Sequence, residues 1–509
     1  MTEPGRISRR PLPERAGLTD PAPTNYEVVI GLEVHAQLLT RSKMFCGCPT
    51  TFGAAPNSQT CPVCQGMPGV LPVVNKKAIE LAMRTALAFG CRVNPACRFA
   101  RKHYYYPDMP KNYQISQYEE PLAEEGRLEI DIDGTSRTIG IQRLHLEEDV
   151  GKLIHEGTLE TAQASLVDFN RSGVPLMETV SRPELRSPEE AAAYLRAFRE
   201  VVVYLDVCDG NMEEGSLRCD ANVSLRPRGT AELGTKVEIK NLNSFRNVER
   251  ALTFEVVRQT RVLDANERVV QETRLWDADR EVTRSMRSKE YAHDYRYFPE
   301  PDLVPLQIDR RWVEEIRAEL PELPRARRER FLRQYGLSLT TADILTHHGP
   351  LADYFEATVA DFSDAKAVSN WILSELLRVV TVGDERAIFQ AVFQAVPSHN
   401  LAGLLRLIAD GTITGKIAKD VFQKMVDSGE DAPTIVARGG LTQVADEAVL
   451  GGIVDSVMAA NPKAIEDFKR GKTAAKKALV GQVMKATGGK ANPALVDRLL
   501  EDKLSKIQT

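Results

Sequence analysis

The segment YEVVIGLEVHAQLL, residues 26–39, alternates apolar and polar side chains with a period of two. That period predicts a strand whose apolar face carries Val28, Ile30, Leu32 and Val34. The opposite face carries Glu33 and His35 at neighbouring positions. A carboxylate beside an imidazole is compatible with a solvated surface or with a functional site, and the rest of the sequence has to distinguish the two.

Further segments favour an antiparallel sheet with inserted helices. LEIDIDGTSRTIGIQRLHLEED alternates on both sides of Asp133-Gly134 and predicts a hairpin, while SLVDFN, CDANVSLR and KVEIKNLN predict shorter strands. Two helices are predicted in the same region, KKAIELAMRTALAFG and SPEEAAAYLRAFREVVVYLDV. Ser187 is the expected N-cap of the second helix, and Glu190 is expected to complete a capping box. We therefore expect an α+β fold with a β-rich, mainly antiparallel domain.

Strand signals fade after about residue 310, and Pro- and Gly-broken helical patterns replace them. The expected domains are a β-rich domain over 26–310, called the cradle, a helical domain over 311–400 and a small helical tail over 401–509. Residues 1–25 contain five prolines and no apolar core, so we expect a disordered leader and not a signal peptide. The 509 residues carry a net charge of −5 and no apolar run near the ~18 residues of a membrane helix. We expect a soluble, cytoplasmic protein without a uniformly basic surface.

The cysteines Cys46, Cys48, Cys61 and Cys64 are spaced C-x-C-x12-C-x2-C. Two close pairs joined by a Gly/Pro/Asn-rich loop can supply four thiolates to one tetrahedral zinc, and such a closed site braces a fold without catalysing. Four ordinary cysteines are the less favoured alternative. The remaining four cysteines lack such pairing and are expected to be packing residues.

Acidic residues occur at several positions where a sheet would normally carry neutral ones: Glu147, Glu148, Glu178, Glu213 and Glu214. Taken singly, each is more easily explained as a solvated charge. Together with Glu33 and His35 they suggest a Mg²⁺-phosphate site, because Mg²⁺ prefers oxygen ligands and shares substrate phosphates. No P-loop or G-x-G-x-x-G motif is present, and GTITGKIAK has the wrong spacing. Any nucleotide would therefore be held by an uncommon fold.

A series of longer motifs is similar to one family. IGLEVHAQL, PNSQTCPVCQGMPGVLPVVN, YYYPDMPKNYQISQY, RLHLEEDVGK, DFNRSGVPLMETVS, MEEGSLRCDANVSLRP, EIKNLNSF and DYRYFPEPDL occur in that order. They closely resemble the B subunits of the aspartyl/glutamyl-tRNA amidotransferases, the GatB family. The resemblance continues through GTITGKIAKDVF and LVGQVMKAT to the C-terminus, and leaves out only the leader.

The resemblance implies that the protein uses ATP and Mg²⁺ to phosphorylate the side-chain carboxylate of misacylated Glu-tRNA(Gln), Asp-tRNA(Asn) or both. Ammonia from a partner amidase subunit (GatA) then reaches the acyl phosphate through a tunnel and displaces phosphate. A small bridging subunit (GatC) completes the complex, and the non-discriminating aminoacyl-tRNA synthetase is a further possible partner. The implied fold is a β-rich cradle, a helical domain and a YqeY-like tail. Some family members lack the four cysteines, so structural Zn²⁺ is an accessory.

On this interpretation Glu33, His35, Glu148 and Glu178 form the catalytic group, and the same four residues are the Mg²⁺ partners. Glu147, Glu213 and Glu214 are weaker metal candidates. A second group is equally compatible with packing or with nucleotide or acceptor-end binding: Lys102, Lys111, Arg171, Lys240 and Asn241.

The tail carries a local excess of positive charge, with eight Lys or Arg against two acids between Lys463 and Lys490. A solvated helical face is the usual explanation of such a run, but in a tRNA-acting family we expect a phosphate-contacting surface. The residues expected to bind tRNA are Lys469, Arg470, Lys472, Lys476, Lys477 and Lys485.

Two alternatives remain open at the level of sequence. A non-catalytic, zinc-bearing, tRNA-binding scaffold subunit would explain the cysteines and the tail, but would give the acidic group no role. An RNA-independent amide ligase would act on free glutamate.

Overall fold

The computed structural model describes residues 25–155, 164–288, 295–379, 391–443, 446–470 and 474–508. The predicted leader lies outside these residues except for its last position. The chain forms two compact units, the first ending at Leu323 and the second beginning at Pro324. The boundaries expected near residues 310 and 400 stay predictions.

The first unit is built on β-strands. Its described strands are β1 (Tyr26–Gln37), β2 (Arg92–Val93), β3 (Ala96–Cys97), β4 (Ala100–His103), β5 (Tyr113–Ser116), β6 (Ala123–Ile132), β7 (Thr135–Glu148), β8 (Lys152–His155), β9 (Ser165–Asp168), β10 (Pro175–Ser181), β11 (Leu217–Pro227), β12 (Val237–Leu242), β13 (Glu272–Asp277), β14 (Val282–Ser288), β15 (Phe298–Pro299) and β16 (Leu306–Gln307). Nine of these described strands form the main sheet in the order β14-β13-β12-β11-β1-β10-β7-β6-β2. The α+β class with a mainly antiparallel sheet is confirmed.

The predicted hairpin is β6–β7, in which Ile132 pairs with Thr135 across a two-residue turn. Asp133 and Gly134 both have positive φ, 49° and 76°, as a two-residue turn that matches the twist of the strands requires.

The helices described in the first unit are α1 (Lys76–Ala88), α2 (Pro188–Tyr204), α3 (Phe245–Asp264) and α4 (Arg310–Glu319). Ser187 caps α2 by accepting from the Glu190 N–H, as expected. The Glu190 carboxylate, however, accepts from the Arg186 N–H and not from Ser187, so the capping box is closed one residue earlier.

The helix α3 was missed in the sequence. It connects β12 to β13, the one parallel pair of the described main sheet, and a parallel pair requires such a crossover. Its buried face includes Glu255 and Gln259, which weaken the apolar pattern. Glu255 accepts from Arg258 Nε at 2.9 Å and from Gln259 Nε2 at 3.0 Å, so the buried polar groups bind one another.

One face of the main sheet packs into the core. Ile30, Leu32 and Val34 are completely buried in the same hydrophobic cluster as Met83 of α1 and Phe198 of α2. The apolar face predicted for β1 is therefore the core face. The four cysteines outside the C-x-C…C-x2-C motif, Cys91, Cys97, Cys208 and Cys219, are buried in this cluster as well.

The second unit is helical in all of its described elements. These are α5 (Pro324–Tyr335), α6 (Leu339–Thr346), α7 (Gly349–Asp361), α8 (Ala365–Trp371), which continues through a π-helical turn (Ile372–Leu376) to Leu377–Val379, α9 (Ser398–Ala409), α10 (Gly415–Ser428), α11 (Ala432–Gly439), α12 (Glu447–Ala460), α13 (Pro462–Lys469), α14 (Ala474–Ala486) and α15 (Pro493–Gln508). One core includes Phe331 and Leu376 as well as Leu401 and Phe422, so it spans position 400. A separate core, with Leu450 and Leu500, unites α12 to α15. Among the described helices, none combines the length and the apolar character that crossing a membrane requires.

Candidate active site

Four neighbouring strands of the main sheet carry a row of polar side chains. His35 on β1 lies opposite Arg218 on β11 and Glu178 on β10. Glu178 in turn lies opposite His145 on β7. Directly opposed residues of antiparallel strands point to the same face, so these side chains share the face of β1 that is turned away from the core.

Glu147 joins the row from two positions further along β7. His35 Nε2 lies 3.3 Å from Glu178 Oε2 and 3.9 Å from Glu147 Oε1. One ligand atom from each of these three residues lies within 4.8 Å of the other two. We call His35, Glu147 and Glu178 the metal-site triad. Two carboxylates and one imidazole are ligands that Mg²⁺ accepts, with waters and substrate oxygens completing its shell.

His145 was not among the predicted site residues, yet it lies beside the triad in the structure. His145 Nε2 lies 3.3 Å from Glu178 Oε2 and 4.0 Å from Glu147 Oε2. Ser116 Oγ donates to Glu147 Oε2 at 3.2 Å and holds the second carboxylate. The spacing of two between His145 and Glu147 could have revealed it, because such residues share one face of a strand.

The charges of the triad shift the pKa values of its members. Burial lowers the pKa of His35, but Glu178 and Glu147 raise it more, to about 9. Burial raises the pKa of Glu178, yet His145 and His35 hold it well below its ordinary value. His35 and Glu178 therefore form an imidazolium–carboxylate pair. A metal that binds here displaces the His35 proton, because a ligating imidazole is neutral.

Glu148 lies on the other side of β7 from Glu147, because successive side chains of a strand alternate. Its Oε1 accepts from Lys111 Nζ at 2.5 Å and from the Ile115 N–H at 3.0 Å. Glu148 and Lys111 line a cavity of about 240 Å³ that also reaches Cys64. The structure thus pairs Glu148 with Lys111 and not with the triad, and its role as a metal partner stays a prediction.

Glu33 shares the face of the triad but lies outside the three-residue set. Its Oε1 accepts from Asn222 Nδ2 at 2.8 Å, and it lies opposite Asp220 in the register. Burial and then Glu178 raise the pKa of Glu33 above its ordinary value. Lys240 Nζ lies 2.8 Å from Asp220 Oδ2, so it neutralises part of the charge beside Glu33.

Asp149, the residue that follows β7, contacts two arginines and one glutamine. Arg218 Nη2 lies 3.0 Å from its Oδ1, and Gln37 Nε2 donates to its Oδ2 at 2.7 Å. Arg171 Nε is 3.8 Å from Asp149 and donates to the Val150 carbonyl at 3.0 Å. Arg171 therefore braces the turn after β7.

Three of the predicted residues lie apart from the triad in the part of the chain that the structure describes. Glu213 and Glu214 are exposed in the turn before β11, where both N–H groups donate to Asn211 Oδ1. Asn241 Nδ2 donates to the Trp276 carbonyl at 3.0 Å. These contacts belong to the turn and the sheet, and the predicted ligand-binding roles stay predictions.

Lys102 on β4 brings a positive charge toward the carboxylates of the triad. Burial lowers the pKa of Lys102, but Glu147 and Tyr297 raise it above its ordinary value. Its Nζ lies 5.1 Å from the centre of the Tyr295 ring, a cation–π distance. Lys102 is thus a half-buried cation beside the triad with aromatic neighbours.

The four cysteines of the C-x-C-x12-C-x2-C motif also come together. One sulfur from each of Cys46, Cys48, Cys61 and Cys64 lies within 4.8 Å of the others, so the cluster could bind a metal. Cys46 donates a hydrogen bond that lowers the pKa of Cys64 to about 4, against the effect of burial. The Cys61 N–H, 3.2 Å from Cys64 Sγ, acts in the same direction.

The loop between the two cysteine pairs is tied to the segment after β9. The Asn57 N–H donates to Asp168 Oδ1 at 2.9 Å, and the Phe169 N–H donates to Asn57 Oδ1 at 2.8 Å. The Gln59 N–H donates to Asn170 Oδ1 at 2.8 Å. The conformation of the cysteine loop is therefore fixed by long-range hydrogen bonds as well as by its own turns.

The predicted tRNA-binding residues of the tail differ in their surroundings. Lys469, Arg470, Lys477 and Lys485 are exposed, whereas Lys472 lies outside the described residues. Lys476 binds Asp497 and Glu501 of α15. That ion pairing reduces the charge that Lys476 can offer to another partner.

The fold and the site define a class. A family model described as the GatB/GatE catalytic domain matches residues 28–314, which include the whole triad, and one described as the GatB domain matches residues 353–504. The chain is 55% identical over 482 residues to the B subunit of the aspartyl/glutamyl-tRNA(Asn/Gln) amidotransferase of Carboxydothermus hydrogenoformans, covering 95% of this chain and 99% of that protein. The corresponding B subunit of Moorella thermoacetica is 56% identical over 480 residues, covering 94% of this chain and 100% of that protein.

A third relative of the same name, from Solidesulfovibrio magneticus, is 54% identical over 479 residues, with 94% and 99% of the two chains covered. The chain therefore belongs to the GatB family, the B subunits of the tRNA-dependent amidotransferases.

Proposed function

We propose that the chain phosphorylates the side-chain carboxylate of Glu-tRNA(Gln), Asp-tRNA(Asn) or both with ATP and Mg²⁺, and that ammonia then converts the acyl phosphate to an amide. The observation that carries the proposal is the convergence of His35, Glu147 and Glu178 from three different strands. A non-catalytic scaffold has no need of two buried carboxylates around an imidazole, because burying such charges costs free energy.

The triad and Lys102 would have different tasks in this reaction. His35, Glu147 and Glu178 would hold Mg²⁺, which when bound neutralises the charge of the transferring phosphoryl group. Lys102, beside Glu147, is suited to contact phosphate or carboxylate oxygens. Glu33 and Glu148, which the sequence placed in the catalytic group, and the weaker candidates Glu213 and Glu214 remain predicted metal partners. Lys111, Arg171, Lys240 and Asn241 remain candidates for binding the nucleotide or the acceptor end.

The bonds balance in two steps. A carboxylate oxygen of the aminoacyl group attacks the γ-phosphorus of ATP, and the bond to the β-phosphate oxygen breaks to release ADP. Ammonia then attacks the acyl carbon, and the bond from that carbon to the phosphate oxygen breaks. One proton of the attacking ammonia is transferred to the released phosphate or to water. Phosphorylation is needed because a free carboxylate has no good leaving group.

The relatives are named as B subunits of an amidotransferase, which supports a complex of more than one subunit. An amidase subunit (GatA) would release ammonia from glutamine, a small bridging subunit (GatC) would join the two, and the misacylated tRNA would be the substrate. A non-discriminating aminoacyl-tRNA synthetase would supply that tRNA in the cytoplasm.

We also propose that the four-cysteine cluster holds a structural Zn²⁺. The close approach of four sulfurs supports this, because thiolates are the usual ligands of structural zinc. A fourth protein ligand leaves no open position, so this metal would support the cradle and not the reaction.

The central test is to replace triad residues in the assembled three-subunit complex. His35→Ala and Glu178→Gln should lower ATP-dependent amidation of Glu-tRNA(Gln) and Asp-tRNA(Asn) roughly a hundredfold or more, because each removes a ligand worth several kcal/mol of barrier. Ammonium chloride serves as the nitrogen donor, so that the result does not depend on the glutaminase. The two charged tRNAs, assayed in parallel, also establish which substrate is used.

Glu267→Gln, which changes an exposed carboxylate after α3, is the matched control and should retain wild-type activity. Wild-type amidation by His35→Ala or Glu178→Gln would contradict the assignment. The scaffold alternative predicts no Mg²⁺-dependent ATP hydrolysis with misacylated tRNA in any variant, and activity on free glutamate would indicate an RNA-independent ligase.

A further inference from the structure

His145 is a buried histidine that is absent from the metal-site triad and yet contacts it. It lies on β7 directly opposite Glu178 and is only 2% exposed. Its Nε2 is 3.3 Å from Glu178 Oε2, the same oxygen that His35 Nε2 approaches to 3.3 Å. A single carboxylate oxygen on β10 is therefore held between two imidazoles on the two strands that flank it, β1 and β7.

The second ring nitrogen shows that this placement has a cost. His145 Nδ1 is buried and has no hydrogen-bond partner among the described residues. An unpartnered buried polar atom destabilises the folded chain and calls for an explanation. The contact of Nε2 with Glu178 is the interaction that can offset this cost.

The chemistry of the two imidazoles assigns them different tasks. His35 is one of the three possible ligands, whereas His145 lies outside that set. His145 Nε2 approaches Glu178 Oε2 to 3.3 Å from the other neighbouring strand, so its N–H can be donated to this carboxylate. His145 is not in the set of three ligand atoms, so it acts on the metal through Glu178.

We propose that His145 is a positioning residue that donates Nε2–H to Glu178 and holds this carboxylate beside His35 and Glu147, ready for a divalent cation. The proposal deepens the metal site and rests on the proposed function. Partners that orient a ligand in this way typically change metal affinity 10–100-fold. With Glu178 held in place, the free energy of binding is not spent on ordering the ligand.

The test uses Mn²⁺ as the probe, measured by electron paramagnetic resonance on the assembled complex. His145→Leu should weaken Mn²⁺ binding about 10–100-fold and raise the Mg²⁺ concentration for half-maximal amidation by a similar factor. At saturating Mg²⁺ its kcat should remain within a few-fold of wild type. His145→Gln should restore most of the affinity, because its amide N–H can reach the position of Nε2.

Equal Mn²⁺ affinity in wild type and His145→Leu would overturn the proposal, even if the melting temperature falls. If His145→Leu does not fold, the comparison of His145→Gln with the shorter His145→Asn decides: equal affinities overturn the proposal and a deficit confined to Asn supports it. Glu178→Gln distinguishes a failure of the positioning role of His145 from a failure of the metal site. Loss of Mn²⁺ in Glu178→Gln but not in His145→Leu refutes only the positioning role, whereas wild-type binding in both refutes the metal site itself.

Discussion

Lys43 is completely buried (0% exposed) beside the cysteine cluster. Its Nζ lies 3.5 Å from Cys64 Sγ and 3.2 Å from the Phe169 carbonyl oxygen. Four thiolates around one divalent cation carry a net charge of −2, and a buried ammonium offsets part of it. Because an unpaired buried charge is strongly destabilising, Lys43 and the thiolates depend on each other.

The first prediction at this scale concerns metal content. The purified, reduced chain should contain about one zinc, and Cys61→Ser should lose it and melt at a lower temperature, because zinc binding contributes directly to folding. Lys43→Met keeps all four sulfurs, so it should retain zinc but release it to a chelator more readily, with an affinity about 10–100-fold lower. Elemental analysis and competition with a chromogenic chelator measure both effects.

Cys208→Ser is the control, since Cys208 is a buried thiol outside the cluster. It should lower stability and leave the zinc content unchanged. Freshly prepared wild type without zinc, or Cys61→Ser with a full complement, would contradict the zinc site.

At the scale of secondary-structure elements, two helices of the second unit are joined by charges. Arg327 and Arg330 on α5 both bind Glu356 on α7. Tyr335 Oη also donates to Glu356 Oε1 at 3.2 Å. Burial raises the pKa of Glu356, but the hydrogen bonds from the two arginines lower it below its ordinary value of 4.5.

This shift gives a stability prediction with a definite sign. Because the folded pKa is the lower one, the contribution of Glu356 is complete above about pH 4.5 and is lost as the pH falls through the folded pKa. Glu356→Gln should therefore destabilise the full chain by about 1–3 kcal/mol at pH 7, as expected for hydrogen bonds to a charged group. Urea unfolding at pH 7 and below pH 4.5 should show this difference shrinking in acid.

Glu329→Gln on α5 is the matched control. Glu329 is half exposed and pairs only with Arg325 among the ion pairs described for it. Exposed pairs of this kind contribute about 0.3–0.5 kcal/mol. An equal effect of the two substitutions, or a Glu356→Gln effect independent of pH, would show that the Glu356 ion pairs do not join the helices.

At the scale of the whole molecule, one hydrophobic core extends across position 400, and this limits which variants can test tRNA binding by the tail. Leu401 and Leu404 pack in the same core as Phe331 and Phe355, so a truncation at residue 401 would expose apolar surface and confuse binding with folding. Point substitutions on exposed lysines avoid this. The stretch from Lys463 to Lys490 has eight positive and two negative charges in the sequence. In the folded chain its positive charge is further reduced, because Asp497 and Glu501 bind Lys476.

We predict that replacing Lys469, Lys477 and Lys485 together by Ala weakens tRNA binding by the complex. Each lost phosphate contact should reduce the slope of log affinity against log salt by about 0.7–0.9, through counterion release. The effect should be similar for different tRNAs, since phosphate contacts carry little sequence information. Filter binding across a range of salt concentrations measures both quantities.

Lys503→Ala is the control, because Lys503 is held by Asp455 and lies outside the basic stretch. Lys476→Ala should have a smaller effect than an exposed lysine. An unchanged salt slope in the triple variant would remove the tail from the tRNA-binding surface.

Local patterns determined several features of this protein without the structure. The period of two placed Glu33 and His35 on the face of β1 away from the core, because alternation is a property of any strand. Asp133-Gly134 predicted the hairpin, since few residues accept two successive positive φ angles. The spacing of the cysteines predicted their convergence, and the longer motifs identified the family.

Only the tertiary structure decided which acids meet His35. Glu178 and Glu147 reach it through strand pairings over long sequence separations, and no local pattern encodes such a register. Alternation along β7 puts Glu148 on the opposite side of the sheet from Glu147, and the tertiary structure brings Lys111 to it there. The strand register also brought in His145, which shares a face with Glu147 by a local spacing of two but meets Glu178 only through the pairing of β7 with β10. Helix α3 was hidden for a related reason: its buried Glu255 accepts from Thr283 and its buried Gln259 donates to the Val223 carbonyl, and both partners come from strands that only folding brings close.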